Sequence, residues 1–270
     1  MFVAIGSFTG CDGAIDSEYT EQIVVQGFIY PGEAIDSVIL HYTVPFTASY
    51  NDSAFAVTNA DVRVGVDGKE YVLQASAKRG RYFLPKADLI IQGGKTYTLT
   101  LRIGNKIISA TTTVPMPILY TNLSKTFPDG KSLTLDTNNA TTFSYTLTAG
   151  PIDVASRKYM LQVSALDTTV GKIFTGQQGP PVDTSAYVRY SFIQTAPRII
   201  IYSRLFGWFG PNRLTILALD SNWVDYKRAV GYGDNAFIPY QSSLNHINGG
   251  IGIWASAAKD EVTVFLKPKP

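Results

Sequence analysis

The only cysteine of the chain is the residue with the clearest chemistry. Cys11 follows Phe8, Thr9 and Gly10, and small residues directly before a cysteine are typical of a bacterial lipobox, in which the thiol receives a diacylglyceryl group. Phe8 stands where leucine is usual, and no lysine or arginine precedes the apolar stretch. The other interpretation is a free cysteine in a first strand. We expect lipidation at Cys11, with residues 1–18 as signal peptide, lipobox and tether, because acyl chains hold a protein at a bilayer surface.

Two histidines and the acidic residues are the candidate acid–base groups. His41 lies in an apolar run that predicts a half-buried position in a strand. His246 has no cysteine, serine turn or second histidine near it in sequence. The sequence has no His-Glu-x-x-His run and no Gly-x-Ser-x-Gly turn. Dispersed catalytic carboxylates leave no spacing to recognise. The prediction is therefore a protein that is not an enzyme, without catalytic residues, metal or cofactor, and a hydrolase stays open as an alternative.

A glycine-rich segment near the C-terminus has two interpretations. Residues 248–252 read Asn-Gly-Gly-Ile-Gly, which is similar to a phosphate-binding loop. Such a loop needs a strand before it and a helix after it, whereas a strand pattern follows here. We predict instead that the glycines let the backbone pass closely over a neighbouring strand.

Residues 204–211 contain three aromatic side chains among glycines and a proline, a composition that suits a loop between strands. Exposed aromatic rings there would stack on a sugar, insert into a lipid surface or anchor a protein partner. Phe206, Trp208 and Phe209 are therefore candidate ligand or partner contacts. The other interpretation is a plug that closes the end of a β-sandwich or packs against the first domain.

Composition excludes several classes of protein. The 270 residues are 45% hydrophobic, 12% aromatic and only 16% charged, which excludes disorder and coiled coils. The net charge of +2 is too small for a dedicated nucleic-acid binder. One cysteine cannot form a disulfide framework, and no apolar run reaches the roughly 20 residues of a membrane-spanning helix.

Alternation of apolar and polar residues with a period of two predicts an all-β protein. Asp67-Gly68 predicts a two-residue turn that places Val64 opposite Tyr71. Gly104-Asn105 predicts a second hairpin, with Leu99 opposite Ala110. These hairpins favour an immunoglobulin-like or transthyretin-like β-sandwich.

The pattern divides the chain at Val114-Pro115-Met116-Pro117, where two prolines favour an extended connection. A second β-sandwich-like domain with one short helix follows. Ser221 is the expected cap of a helix over residues 222–230, and residues 261–266 are the expected last strand. The predicted divisions are the tether 1–18, the first sandwich 19–114, the proline linker 115–118 and the C-terminal β domain 119–270.

Four segments carry a family resemblance: residues 23–28 (Ile-Val-Val-Gln-Gly-Phe), 60–62 (Ala-Asp-Val), 110–115 (Ala-Thr-Thr-Thr-Val-Pro) and 246–254 (His-Ile-Asn-Gly-Gly-Ile-Gly-Ile-Trp). The last of these resembles the family pattern Asn-Ile-x-Gly-Gly-x-Gly-x-aromatic. The chain resembles the two-domain lipoproteins of unknown function found widely in Bacteroidota (domain-of-unknown-function family 4249). His246 replaces the usual asparagine, and Trp254 the usual phenylalanine. The resemblance implies this architecture and a cell-envelope location. It assigns no reaction. Such proteins often accompany outer-membrane importers.

We therefore expect a lipoprotein, anchored to the outer membrane through Cys11, that acts as a binding or scaffolding component beside a nutrient-import complex. Two alternatives stay open: a carbohydrate- or peptide-binding module that uses residues 204–211, and the hydrolase. The expected partners are the membrane and an outer-membrane transporter or a glycan or peptide ligand, with no nucleic acid.

Overall fold

The computed structural model describes most of the chain. The described residues are 19–45, 48–49, 51, 53–118, 132–135, 144–148, 157–173, 188–191, 193–195, 198–202, 205–229 and 244–268. Within them the chain forms sixteen β-strands and one α-helix. The prediction of an all-β fold with one short helix is confirmed.

The strands of the first half are β1 (Ile23–Ile29), β2 (Ile35–Tyr42), β3 (Asp61–Val66), β4 (Lys69–Val72), β5 (Gln74–Ala75), β6 (Arg81–Leu84), β7 (Thr96–Ile103) and β8 (Lys106–Thr113). Those of the second half are β9 (Ser132–Leu135), β10 (Ser144–Thr148), β11 (Lys158–Ala165), β12 (Val188–Tyr190), β13 (Gln194–Thr195), β14 (Arg198–Tyr202), β15 (Gly210–Leu219) and β16 (Ile251–Pro268). The helix α1 (Ser221–Ala229) lies between β15 and β16.

The first lobe is a β-sandwich. One sheet has the order β4-β3-β7-β8, and the other is formed by β1, β2, β6 and β5. Alternate side chains of both sheets, such as Val25 and Leu40 on one and Val64 and Leu99 on the other, are buried in a single core. Burial of this apolar surface is the main stabilising term, at roughly 25 cal/mol per Å².

Both predicted hairpins of this lobe are confirmed. Asp67 and Gly68 have φ angles of 50° and 77°, as a turn of type I′ requires. Val64 pairs with Tyr71, and Leu99 pairs with Ala110. The apolar faces of paired strands therefore stay in register across both turns.

The last strand joins the two lobes. Residues Ile251 to Ser256 of β16 pair in parallel with β1, from Val24 to Ile29. From Ala257 to Leu266 the same strand pairs antiparallel with β15. Ten strands thereby form one sheet that runs through both lobes. Part of the predicted C-terminal domain thus completes a sheet of the first sandwich, and the last strand begins ten residues earlier than predicted.

The second lobe has a layer on each face of the shared sheet. On one face, Ile199 and Ile201 of β14 pack against Leu161 of β11 and Ile216 of β15. On the other face, Trp223 of α1 belongs to a cluster with Met160, Leu217 and Ile253. The helix therefore covers the sheet where the lobes meet.

Helix α1 begins at Ser221, the residue predicted as its cap, and thus one residue earlier than predicted. The Trp223 backbone N–H donates a hydrogen bond to Asp220 Oδ1 at 2.9 Å, so Asp220 rather than Ser221 is the N-cap. Trp223 and Tyr226 share the face that packs on the sheet, as their spacing predicts. The predicted last residue of the helix, Val230, lies outside the described residues.

Candidate functional site

The glycine-rich segment fits closely over β1 and β8. A Cβ on Gly252, whose φ is +117°, would overlap the carbonyl oxygen of Val25. A Cβ on Gly250 would lie 2.8 Å from the oxygen of Ile23, and one on Gly249 would lie 2.7 Å from that of Ile107. The prediction that these glycines permit close backbone crossing is confirmed.

Trp254 anchors the same segment in the first sandwich. Its side chain is fully buried in the core of that lobe, and its indole N–H donates to the carbonyl oxygen of Tyr97 at 3.2 Å. Gly27 pairs with Trp254 across the sheet, and a Cβ on Gly27 would lie 2.6 Å from the indole ring. Gly27 therefore provides the space that the indole ring occupies.

A buried polar cluster connects β8, α1 and β16 at the junction of the lobes. The Thr112 hydroxyl lies 2.5 Å from Asp220 Oδ2 and 2.7 Å from the Ser256 hydroxyl. The Ser256 hydroxyl also lies 3.2 Å from the carbonyl oxygen of Thr113, and all three side chains are buried. A satisfied buried network of this kind fixes one relative arrangement of its elements.

Burial raises the pKa of Asp220, although the Thr112 hydroxyl and the Trp223 and Ser256 backbone groups that hydrogen-bond to the carboxylate lower it, as does the charge of His246. Desolvation is the largest of these effects because the charged form loses hydration at the junction. The pKa of Asp220 is therefore raised because α1 begins in the buried junction between the lobes.

Three further polar contacts hold α1 to the first sandwich, to β16 and to the segment before β16. The Asn222 amide donates to the carbonyl oxygens of Thr111, at 2.5 Å, and of Trp254, at 2.9 Å. His246 Nε2 lies 2.9 Å from Asp225 Oδ2. Sequence spacing gave no indication of this His–Asp contact, since the two residues lie 21 positions apart and only one of them is on α1.

Aromatic and charged side chains complete the junction. The Trp223 ring lies 4.5 Å from that of Phe28 and 6.3 Å from that of Tyr30. Lys259 pairs with Glu33, and its ammonium lies 5.1 Å from the centre of the Tyr30 ring. Burial, with Glu33 and Tyr190 adding to it, raises the pKa of Tyr30 to about 12. Tyr30 therefore stays protonated at neutral pH.

The aromatic residues proposed as contacts lie mainly inside the second lobe. Phe206 is fully buried, Trp208 is 7% exposed, and Phe209 is partly buried against the same core. Lys172 Nζ lies 5.2 Å from the centre of the Trp208 ring. This placement favours the plug interpretation for Phe206 and Trp208, whereas a ligand or partner contact at these three residues stays a prediction. Cys11 lies outside the described residues.

A recess of about 590 Å³ lies on the outer face of the first sandwich. It is lined by Gln26, Ile39, His41, Ser53, Ala77, Lys78, Arg79 and Arg81. Gln26 pairs with Ile39 and Ile39 with Arg81, so these side chains form one row across β1, β2 and β6. His41 is half-buried, as predicted, and lies on the same face of β2 as Ile39.

The turn between β5 and β6 carries the basic wall of this recess. Gly80 has a φ of +72°, and a Cβ there would lie 2.7 Å from the carbonyl oxygen of Leu40. The Leu40 backbone N–H donates to the Gly80 carbonyl oxygen at 2.7 Å. The turn is thus fixed to β2 directly beside Lys78 and Arg79.

The described lining of the recess is basic. In the part of the chain that the structure describes, its lining includes two guanidinium groups and one ammonium group and no carboxylate. Among the described residues, Lys78, Arg79 and Arg81 form no ion pair. Sequence reasoning missed this site, although Lys78, Arg79 and Arg81, closely spaced around Gly80, were a usable signal.

Among the described residues, no group of three or more histidine, cysteine, aspartate or glutamate side chains is arranged to hold a metal ion. No helix in that part of the chain is long and apolar enough to cross a membrane.

Comparison with known protein families identifies one family that matches most of the chain. The family described as "Domain of unknown function (DUF4249)" matches residues 12–229. The chain belongs to this family. The match to DUF4249 includes β1, the segment at 110–115 and helix α1, and it ends before the glycine-rich segment and Trp254. No curated protein matches this DUF4249 chain.

Solved structures that match the DUF4249 chain are distant. A two-domain fibronectin type III segment of chicken tenascin is 12% identical, covers 73% of this chain and 88% of its own, and has a TM-score of 0.20. Trypsin-activated alpha-2-macroglobulin from Escherichia coli is 11% identical over 75% of this chain and 14% of its own, with a TM-score of 0.21. The FN1–FN3 domains of chicken CNTN1 are 7% identical over 92% of this chain and 68% of their own, with a TM-score of 0.19. The description of the fold therefore rests on the strand pairing of this chain.

Proposed function

We propose that this DUF4249 protein is a cell-envelope lipoprotein, anchored to the outer membrane through Cys11. It acts there as a binding or scaffolding component beside a nutrient-import complex. The lipobox-like residues before Cys11 and the resemblance to envelope lipoproteins favour this role. A tethered protein of this kind presents surfaces to neighbours at a bilayer without crossing it.

One observation carries the scaffolding part of the proposal: three segments of the family resemblance meet at the junction of the lobes. Gly27, in the first segment, makes room for Trp254, in the last. Thr112, in the segment at 110–115, hydrogen-bonds to Ser256 of β16 and to Asp220. These motifs therefore fix the two lobes relative to each other, which is what a scaffold needs to hold partners at a set spacing.

Crosslinking in the native envelope, followed by mass-spectrometric identification of neighbours, tests this role. We expect an outer-membrane transporter among the captured proteins from cells with the natural chain. A Cys11→Ser variant is the matched control, because it keeps the folded lobes and removes the anchoring thiol, and it should lose that capture. Recovery of the same neighbours with both variants, or of no envelope protein with either, would overturn the proposal.

A further inference from the structure

The recess on the first sandwich has the physical features of an anion-binding site, and the proposed scaffolding role does not use it. Its floor is the cross-strand row of Gln26, Ile39 and Arg81. Its volume of about 590 Å³ falls within the roughly 300–1,000 Å³ of small-molecule sites. The recess is therefore large enough for a ligand with both a charged and an uncharged part.

The basic wall is pre-organised. Besides the contact of Gly80 with β2, the Ser76 N–H donates to the Arg81 carbonyl oxygen at 2.8 Å, and the Arg81 N–H donates to that of Lys78 at 3.2 Å. The backbone that bears Lys78 and Arg79 is thus held at both ends. A held backbone reduces the conformational entropy that a ligand would otherwise cost on binding.

The cationic side chains of the recess indicate which class of ligand it would bind. Guanidinium groups donate paired hydrogen bonds that match the oxygens of phosphate, and a lysine adds a compact positive charge. Three cations grouped along one wall, with no carboxylate among the described lining residues, favour a multiply charged anion over a single carboxylate. We propose that this recess binds a phosphate ester, with the phosphate at Lys78, Arg79 and Arg81. The remainder of the ligand lies over Ile39, beside the amide of Gln26 and the hydroxyl of Ser53.

Calorimetric titration of the full chain tests this binding. The probes are inorganic phosphate and glucose 6-phosphate, with glucose as the uncharged control, and phosphatidylcholine vesicles with and without phosphatidic acid. Binding to glucose 6-phosphate but not to glucose identifies a soluble phosphate ester. Binding that requires phosphatidic acid identifies a lipid headgroup, and comparing the two vesicles removes any contribution of an acyl anchor at Cys11.

Variants locate the site. K78Q/R79Q should weaken phosphate-dependent binding by about ten-fold or more, since hydrogen bonds to charged groups are among the strong ones. R102Q/K106Q is the matched control, because it removes the same charge from exposed positions on the opposite sheet. It should change the affinity by less than about two-fold. Circular dichroism melts establish that both variants fold.

Two results would overturn the assignment: no phosphate-dependent binding of any probe to the natural chain, or equal weakening in K78Q/R79Q and R102Q/K106Q. Neither result bears on capture of a transporter by crosslinking, which depends on Cys11. The two proposals therefore fail independently.

Discussion

Asp220 combines two structural roles at the scale of single residues. It caps α1 through the Trp223 backbone N–H, and it accepts a hydrogen bond from Thr112 of the first sandwich. Asparagine can keep both contacts, since it is as good an N-cap as aspartate and its amide can donate to the Thr112 oxygen. Alanine can keep neither. The two substitutions therefore separate the hydrogen bonds from the buried charge.

We expect Asp220→Ala to lower the free energy of unfolding by about 1–2 kcal/mol relative to Asp220→Asn, as for other lost caps. The difference in the free energy of unfolding between the natural chain and Asp220→Asn should depend on pH. Burial raises the pKa of Asp220 in the folded state above its ordinary value of 3.8. The protonated carboxyl group therefore favours the folded state, and this contribution to the free energy of unfolding is fully present at pH values below 3.8. It is lost as the pH rises through the folded pKa.

Urea unfolding of both chains across this pH range measures the effect. Relative to Asp220→Asn, the natural chain should lose stability as the pH rises above 3.8. A difference that stays constant, or that changes in favour of the natural chain with rising pH, would show that burial does not control this carboxyl group.

Trp208 tests the plug interpretation at the same scale. Trp208→Ala should lower the free energy of unfolding by about 3–5 kcal/mol, because it leaves a cavity beside the core of the second lobe. Phe209 is partly exposed, so Phe209→Ala is a control with a smaller expected loss. Thermal and denaturant melts measure both. Unchanged stability in Trp208→Ala, together with weaker capture of neighbours, would instead favour a contact residue.

At the scale of elements, the predictability of each strand follows from its burial. β7 buries only alternate residues, so its pairing with β8 could be read from the sequence. From Ile253 to Ala258, β16 is buried at every position, and a strand covered on both faces shows no alternation. The sequence therefore predicts only the later part of this strand. The shared sheet could not be predicted, since it depends on contacts between residues more than 200 positions apart.

The candidate recess shows the same limit. Lys78 and Arg79 beside a turn are visible in the sequence, but their position over Gln26 and Ile39 depends on the pairing of β2 with both β1 and β6. Conversely, the role of the glycines at 249–252 could be predicted, because a strand rather than a helix follows them.

Gly252 gives the sharpest test of the contact between β16 and β1. Gly252→Ala should lower the free energy of unfolding by several kcal/mol, because its Cβ would overlap the Val25 carbonyl group in addition to the strain of a positive φ. Gly104→Ala is the control: Gly104 also has a positive φ, of +56°, but a Cβ there meets nothing within 4 Å. Its expected cost is about 1 kcal/mol. Equal losses in the two variants would contradict close crossing at Gly252.

At the scale of the whole molecule, the shared strand makes the stability of one lobe depend on the other. β16 supplies Trp254 to the core of the first lobe and Val264 and Leu266 to that of the second. The junction also buries Thr112, Asp220 and Ser256 between them. Separating the lobes would break the pairing of this strand and expose its apolar side chains to water, at roughly 25 cal/mol per Å² of apolar surface. We therefore expect both lobes to unfold in a single cooperative transition.

Native-state hydrogen exchange at increasing denaturant measures this coupling. Amides of β7 in the first lobe and of β11 in the second should reach the same free energy of opening. Gly252→Ala, which acts at β1, should lower both values by the same amount, whereas Gly104→Ala should lower both only slightly. If Gly252→Ala destabilised β7 and left β11 unchanged, the lobes would be independent. A protein with independent lobes would hold its partners at no fixed spacing, and the scaffolding role would lose its physical basis.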